Sequence, residues 1–261
     1  KERQAALPGE EAELFSLPAF VKTPRKAPET PVPEEEFLTR FQNVVDESGF
    51  KYRPLDLKRF HLSVKCGDLT VLGGPSGTGK SSLPRLYTQA LLGDQQSIPE
   101  PERRPGCLMV NVNPSWMDTR DLLGHTNTLE GRFFPAESGL YEYLLHAAGE
   151  NQAHDTGTGL YPVCLDEMNL AQVEHYFSDF MVALERDGVD RAIQCFSPET
   201  VGSRCPFRQY QSLQLKASTG KVLGDIELLF LGSCSVPFKA PSSGPYFIKV
   251  SMCRINVTRP V

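Results

Sequence analysis

The sequence predicts an α/β fold built on a parallel central sheet, and three observations carry that expectation. A glycine-rich turn, Gly74-Pro75-Ser76-Gly77-Thr78-Gly79-Lys80-Ser81, stands between the apolar run Leu69-Thr70-Val71-Leu72 and a helix-compatible stretch, Ser82 to Leu92. Short, nearly continuous apolar runs recur at Cys107–Val112, Tyr161–Leu165 and Ile226–Leu231, with helical periodicity between them. Runs of that kind belong to strands covered on both faces by helices. The Tyr161 run ends in Asp166-Glu167. In a parallel α/β sheet, ligands gather at the carboxyl ends of the strands, and the glycine-rich turn and the acidic pair both fall there.

Taken in order, residues 1–35 are rich in proline and charge and predict a flexible or loosely attached arm ahead of one core domain, 36–261. Phe37, Phe41, Val44 and Val45 recur at helical spacing, so 35–47 reads as an amphipathic helix closed by Ser48-Gly49. The segment Phe60 to Val64 fits either a helix end or a strand. Pro84 falls inside the helix after the glycine-rich turn and is expected to kink it or shorten its first turn. Polar, proline-containing residues 94–106 form a loop, Cys107–Val112 a second strand, and 138–148 a helix followed by a polar loop to Gly159. One long helix is expected over 170–186, with Val173, Tyr176, Phe177, Phe180 and Leu184 on its packed face. Residues 188–216 read as a β-hairpin insertion, and Ile226–Leu231 as the last clear strand. After about residue 235 the pattern degrades, so the core domain is expected to be truncated or degenerate there.

Composition narrows the function classes. A formal net charge of −5 provides no global basic field for nucleic acid. No apolar stretch is long enough to cross a bilayer. Seven cysteines, none in a C-x-x-C pair, predict reduced thiols and a cytoplasmic setting rather than a disulfide or metal framework.

The chemistry is concentrated in two stretches. The turn fits G-x-x-x-x-G-K-[ST] at every fixed position, in the strand–turn–helix setting that the motif needs. Gly74, Pro75, Ser76, Gly77, Thr78 and Gly79 then supply inward-facing backbone N–H groups for a polyphosphate. Ser82 stands where the helix N-terminus adds donors and the positive end of its dipole. Lys80 reaches the β- and γ-phosphates, and the Ser81 hydroxyl ligates Mg²⁺. Asp166 is the second metal-holding residue, and Glu167 is the group that orients and deprotonates an attacking water.

Three stretches together, Leu72 to Ser81, Asn111 to Gly124 and Leu165-Asp166-Glu167-Met168-Asn169-Leu170, resemble bacterial McrB-type AAA+ ATPases, related to the MoxR and midasin branch. The resemblance spans roughly residues 36–257 and implies a P-loop NTPase αβα sandwich with a β-hairpin insertion before the fourth core strand. It assigns nucleotide and Mg²⁺ contacts to Gly74, Gly79, Lys80 and Ser81, and hydrolytic roles to Asp166 and Glu167. Such proteins read Gly-Thr-x-Asn after that strand, where this chain has Gly232-Ser233-Cys234-Ser235, making Ser235 the candidate γ-phosphate contact. Cys253-Arg254-Ile255-Asn256-Val257 resembles the family's Asp-Arg-x-Asn-Val, so Arg254 is either a trans-acting catalytic arginine or an ordinary surface residue. The helical lid that the family carries next is not found before Val261.

The expected activity is Mg²⁺-dependent ATP binding and hydrolysis by a motor module that remodels or translocates a protein or nucleic acid. The resemblance implies a homo-oligomeric ring, with a nuclease or other effector as a possible further partner, and no membrane. Two alternatives stay open: a nucleotide-binding scaffold with little turnover, and a GTP-specific subunit. An ABC-type ATPase lacks its Leu-Ser-Gly-Gly-Gln signature here, and a switch GTPase lacks its Asn-Lys-x-Asp reader. Trp116 and Arg132-Phe133-Phe134 are candidates for gripping a polymer in a ring pore, with core packing the alternative for Trp116.

Overall fold

The computed structural model describes residues 18–22, 32–66, 69–93, 95–96, 98–130, 132–153, 160–185, 192–195, 212–216, 226–235, 246–249 and 255–258. A short helix α1 (Ala19–Lys22) precedes α2 (Glu34–Glu47) and α3 (Pro54–Cys66). Strand β1 (Thr70–Gly74) leads to α4 (Ser82–Leu92), then β2 (Leu108–Asn111) and α5 (Thr119–Leu123). A hairpin of β3 (Gly124–Asn127) and β4 (Arg132–Pro135) follows, then α6 (Leu140–Ala153), β5 (Leu160–Asp166), α7 (Val173–Tyr176) and α8 (Ser178–Glu185). Strands β6 (Ala192–Gln194), β7 (Ser212–Lys216), β8 (Ile226–Ser235), β9 (Tyr246–Lys249) and β10 (Ile255–Thr258) complete the order.

The chain is a mixed α/β protein with a parallel centre. Strands β2, β5, β8 and β1 lie side by side and all run the same way. Antiparallel strands close the rest: β9 pairs with β1, and β10 carries β7 and β6 out from the first half of β8. Five consecutive residues of β5, Tyr161 to Leu165, are buried, which requires cover on both faces. Period-two alternation sends Val163 and Leu165 into one core and Cys164 into the other. On the first side they meet Tyr141 and Leu144 of α6 together with Phe177 and Phe180. On the second, Leu72 of β1 joins Phe41, Phe60, Leu83 and Tyr87 from α2, α3 and α4. Tyr87 is the hub of that layer, with the Phe41 and Phe60 rings edge-on at 5.1 and 5.3 Å.

Several local expectations need revision. The ambiguous Phe60–Val64 segment is the middle of α3, whose Phe60 and Val64, four residues apart, share the buried face. Pro84 lies in the first turn of α4, which begins at Ser82, where an N–H has no intrahelical acceptor. The turn before it is held by the Ser82 and Leu83 N–H groups donating to the Gly79 carbonyl at 3.0 and 3.1 Å. The single helix expected over 170–186 is divided into a 3₁₀ turn (Met168–Leu170), α7 and α8. Phe177 leaves helical geometry between α7 and α8, and with this bend Tyr176, Phe177 and Phe180 are all fully buried.

The expected insertion exists as the antiparallel pair β6–β7, but β7 also pairs with β10, so it extends the main sheet. Hairpin β3–β4 was not anticipated; Gly124 serves as both the end cap of α5 and the first hairpin residue. Strand β8 continues to Ser235, and β9 and β10 follow it, beyond the point where the apolar pattern fades. Within the stretch read as an arm, Phe20 and Val21 of α1 are buried, and Phe20 sets its ring edge-on to His146 of α6 at 5.6 Å. Among the described residues no helix is long and apolar enough to cross a membrane.

Two histidines join helices of this fold. His61 of α3 is buried; its Nδ1 lies 2.9 Å from the Tyr87 hydroxyl and its Nε2 3.1 Å from Glu34 Oε1, while Lys65 donates to Glu34 Oε2 at 2.9 Å. Burial pushes the His61 pKa down, outweighing the upward pull of the Glu34 carboxylate, and burial alone lowers that of His146. A histidine whose folded pKa lies below its ordinary 6.5 resists protonation in the native state. Its contribution is complete above the unfolded pKa and is lost as pH falls through it. Thermal stability should therefore fall between about pH 7.5 and about pH 5.5. Scanning calorimetry of wild type and His146→Gln checks this; the variant should show a weaker dependence over the same interval.

Candidate functional site

Strand β1 delivers the glycine-rich turn, and β8 sets its level. Gly74 pairs with Ser235 at the end of the β1–β8 ladder, while Leu165 of β5 and Val71 of β1 both face Gly232. Asp166 therefore stands level with Leu72, and the chain leaves β1 slightly beyond it before turning back. That return needs left-handed backbone, which Gly77 supplies at φ +79° and Gly79 at φ +82°. Inside the turn the Pro75 carbonyl accepts two bonds, from Thr78 Oγ1 at 2.9 Å and Lys80 Nζ at 2.8 Å.

Lys80 is 4% exposed and donates one hydrogen bond among the described residues, to that neutral carbonyl. An ammonium carries three donors and favours an anionic counterpart when desolvated. The next residue closes the site: Ser81 Oγ donates to Asp166 Oδ1 at 2.6 Å, bridging segments 85 positions apart in the chain. The same carboxylate oxygen accepts the Glu167 N–H at 3.1 Å. Asp166 is placed by the ladder, which extends one step further when Val112 N–H donates to its carbonyl at 3.1 Å.

Glu167 has φ 49° and ψ 48°, the one non-glycine with positive φ among the described residues. Such a conformation costs on the order of 1–3 kcal/mol and needs surrounding support. The support comes from the following turn, where Leu170 N–H donates to the Glu167 carbonyl at 2.9 Å and the Tyr176 hydroxyl to the Met168 carbonyl at 3.0 Å. Trp116 packs edge-on against Tyr176 at 5.4 Å, so this half-buried indole braces the acidic turn. Phe133 is likewise core, 4.7 Å from the Tyr141 ring, and Phe134 stacks on His125 at 5.8 Å. Polymer gripping by Trp116 or Phe133 is disfavoured by this packing.

The structure thus brings Lys80, Ser81, Asp166 and Glu167 to one place at the carboxyl ends of β1 and β5. Ser235 enters the same neighbourhood through its backbone pairing with Gly74. Arg254 lies outside the described residues.

Sequence reasoning missed Tyr52. Its hydroxyl donates to the Gly79 carbonyl at 2.7 Å, reaching the turn from the linker between α2 and α3. Burial raises its pKa to about 12, so it remains a donor at neutral pH. No motif links an aromatic residue to a turn 27 positions later, so the only sequence signal was its place among Phe50, Leu55 and Leu57.

Among the described residues no three His, Cys, Asp or Glu side chains cluster as a metal cage. The Ser81 hydroxyl and the Asp166 carboxylate are nevertheless hard oxygen donors already in contact. That pair fits Mg²⁺, which takes few protein ligands and completes its shell with phosphate and water. No family model matches the chain, and no curated protein sequence matches it.

Two glycine substitutions separate backbone strain from packing. A Cβ at Gly77 meets nothing within 4 Å, so Gly77→Ala should cost about 1–2 kcal/mol from its left-handed φ alone. A Cβ at Gly79 collides with the Tyr52 hydroxyl, so Gly79→Ala should be the more destabilising of the two. Urea unfolding midpoints of the two variants give the comparison.

Proposed function

We propose that this chain is a P-loop nucleoside-triphosphatase module of the AAA+ type, similar to the McrB branch, that binds Mg²⁺–ATP and hydrolyses it. The observation that carries the reading is the 2.6 Å contact between Ser81 and Asp166. It joins a hydroxyl of the glycine-rich turn to a carboxylate 85 positions later, as a phosphate-and-metal site would require. The parallel order β2–β5–β8–β1, with the turn at the carboxyl end, supports the same reading. The antiparallel β9 pairs with Thr70–Gly73 of β1, ahead of the turn.

In this reading Lys80 exchanges the Pro75 carbonyl for phosphate oxygens and offsets their charge. Backbone N–H groups from 74 to 81 orient the polyphosphate. Ser81 and Asp166 hold Mg²⁺, which when bound supplies charge neutralisation to the phosphate oxygens. Glu167 accepts the proton of the attacking water and aims it. Ser235 stands at the strand end where the McrB branch carries an asparagine, and Arg254 is the proposed contribution to a neighbouring copy in a ring. ATP rather than GTP is the proposed substrate, and competition between the two for binding distinguishes them. The driven substrate, protein or nucleic acid, is an inference from the resemblance alone.

A second reading is a nucleotide-binding scaffold with little turnover. It is favoured by Ser235, whose hydroxyl reaches less far than an asparagine amide. Two variants discriminate. Lys80→Ala should weaken Mg²⁺–ATP binding roughly a hundredfold or more. Glu167→Gln should preserve binding and lower turnover by about 10²–10⁴-fold. Calorimetric titration and phosphate release measure the two effects. Binding unaffected by Lys80→Ala would defeat both readings, and binding without phosphate release in wild type would select the scaffold.

A further inference from the structure

We infer that Tyr52 is a positioning residue for phosphate binding: its hydroxyl fixes the Gly79–Lys80 peptide plane so that the Lys80 N–H faces the bound anion. The inference rests on the nucleotide reading above and assigns a role to a residue outside the motif.

The argument begins with the planar peptide. The Gly79 carbonyl and the Lys80 N–H belong to one rigid unit and point in opposite directions. Fixing one therefore aims the other. The Gly79 carbonyl accepts three donors: Tyr52 Oη at 2.7 Å, Ser82 N at 3.0 Å and Leu83 N at 3.1 Å. The two backbone donors belong to the start of α4 and draw the carbonyl along the helix. Tyr52 is the third and the only one from a distant segment. Without it, only the two helix donors hold the carbonyl, and a residue with no Cβ resists rotation of its peptide less.

The contact is also shaped, not only bonded. A Cβ on Gly79 would collide with the Tyr52 hydroxyl, so the tyrosine lies directly against the bare α-carbon. Tyr52 is itself held in place. Its ring stacks on Phe50 at 6.0 Å and 15°, and both pack against the core formed by α2, α3 and α4. The residue after it, Arg53, pairs through Nε with the buried Asp56 at 2.7 Å, anchoring the linker to the first turn of α3. A rigid donor on a fixed linker thus reaches a flexible glycine at the one peptide between the turn and Lys80.

The test compares wild type, Tyr52→Phe and Lys80→Ala, titrated calorimetrically with Mg²⁺–ATP and with ADP. Tyr52→Phe keeps the ring and removes only the hydroxyl. The expected result is an affinity for both nucleotides roughly three- to tenfold weaker, the worth of one oriented hydrogen bond. Stoichiometry should remain that of wild type. Amide exchange at residues 79–82 in nucleotide-free protein should be faster. A merely structural defect would instead lower the binding-competent fraction and leave the dissociation constant unchanged, which overturns the inference. Wild-type affinity in Tyr52→Phe, with binding lost in Lys80→Ala, also overturns it and leaves the nucleotide reading standing. If Tyr52→Phe fails to fold by circular dichroism, the hydroxyl is a folding determinant and the inference falls. Absence of nucleotide binding in wild type removes both.

Discussion

The site depends on the register of one strand. β8 has ten residues, long enough to pair with β5 through its middle and with β1 through its end. Because Gly232 faces both Leu165 and Val71, the ends of β5 and β1 are tied to a common ruler. A slip of one residue on either side would turn each buried side chain to the opposite face. It would also carry Asp166 away from Ser81. The alternation on β5, with Val163 and Leu165 in one core and Cys164 in the other, therefore guards the chemistry. Packing sets the register, and the register brings a hydroxyl and a carboxylate together.

The two layers have different tasks at this end of the sheet. The α2–α3–α4 side positions the phosphate turn: α4 begins at its exit, and the linker before α3 sends Tyr52 onto Gly79. The opposite side positions the acids. Tyr176 and Trp116 brace the turn that keeps Glu167 in its unfavourable backbone conformation. Deeper on that side, Glu150 is buried and satisfied, accepting from Arg104 at 2.8 Å and from the Tyr161 hydroxyl at 2.6 Å. This ion pair joins α6 to β5 and to the chain entering β2. A buried carboxylate deprived of such partners would be costly, so the group acts as a specificity pin between elements. Each half of the site thus rests on its own hydrophobic layer, and the Ser81–Asp166 contact spans the two.

Much of this was legible from residues alone, for a physical reason. A tight turn back from β1 needs left-handed backbone, which glycine adopts most readily, so Gly77 and Gly79 announce the turn. Buried parallel strands need unbroken apolar runs, and β2, β5 and the first part of β8 have them. What escaped lacked a period. The hairpin β3–β4 is short, and its pairing gives no strong alternation. β9 and β10 are four residues each and find their places through β1 and β8. The division between α7 and α8 preserves the 3.6-residue spacing on either side, so periodicity reads straight through the bend. Tyr52 was invisible because a hydrogen bond to a backbone carbonyl demands no particular residue at the acceptor.

The geometry separates what binding needs from what turnover needs. Lys80 is held by a neutral carbonyl, and exchanging that bond for contacts to phosphate replaces an ordinary hydrogen bond with charge-assisted ones. The exchange is local, because Lys80 and Pro75 belong to the same turn. On the proposed reading, binding would therefore proceed on a nearly finished scaffold. The proposed turnover would make a further demand, since Glu167 would have to meet a water while its backbone stays in the left-handed region. That conformation is sustained by Met168, Tyr176 and Trp116, none of which touches the phosphate turn in the contacts described. Disturbing the brace would therefore impair water activation first and affinity second, whereas disturbing the turn would do the reverse. The two proposed functions are separable because the two layers that would support them are separate.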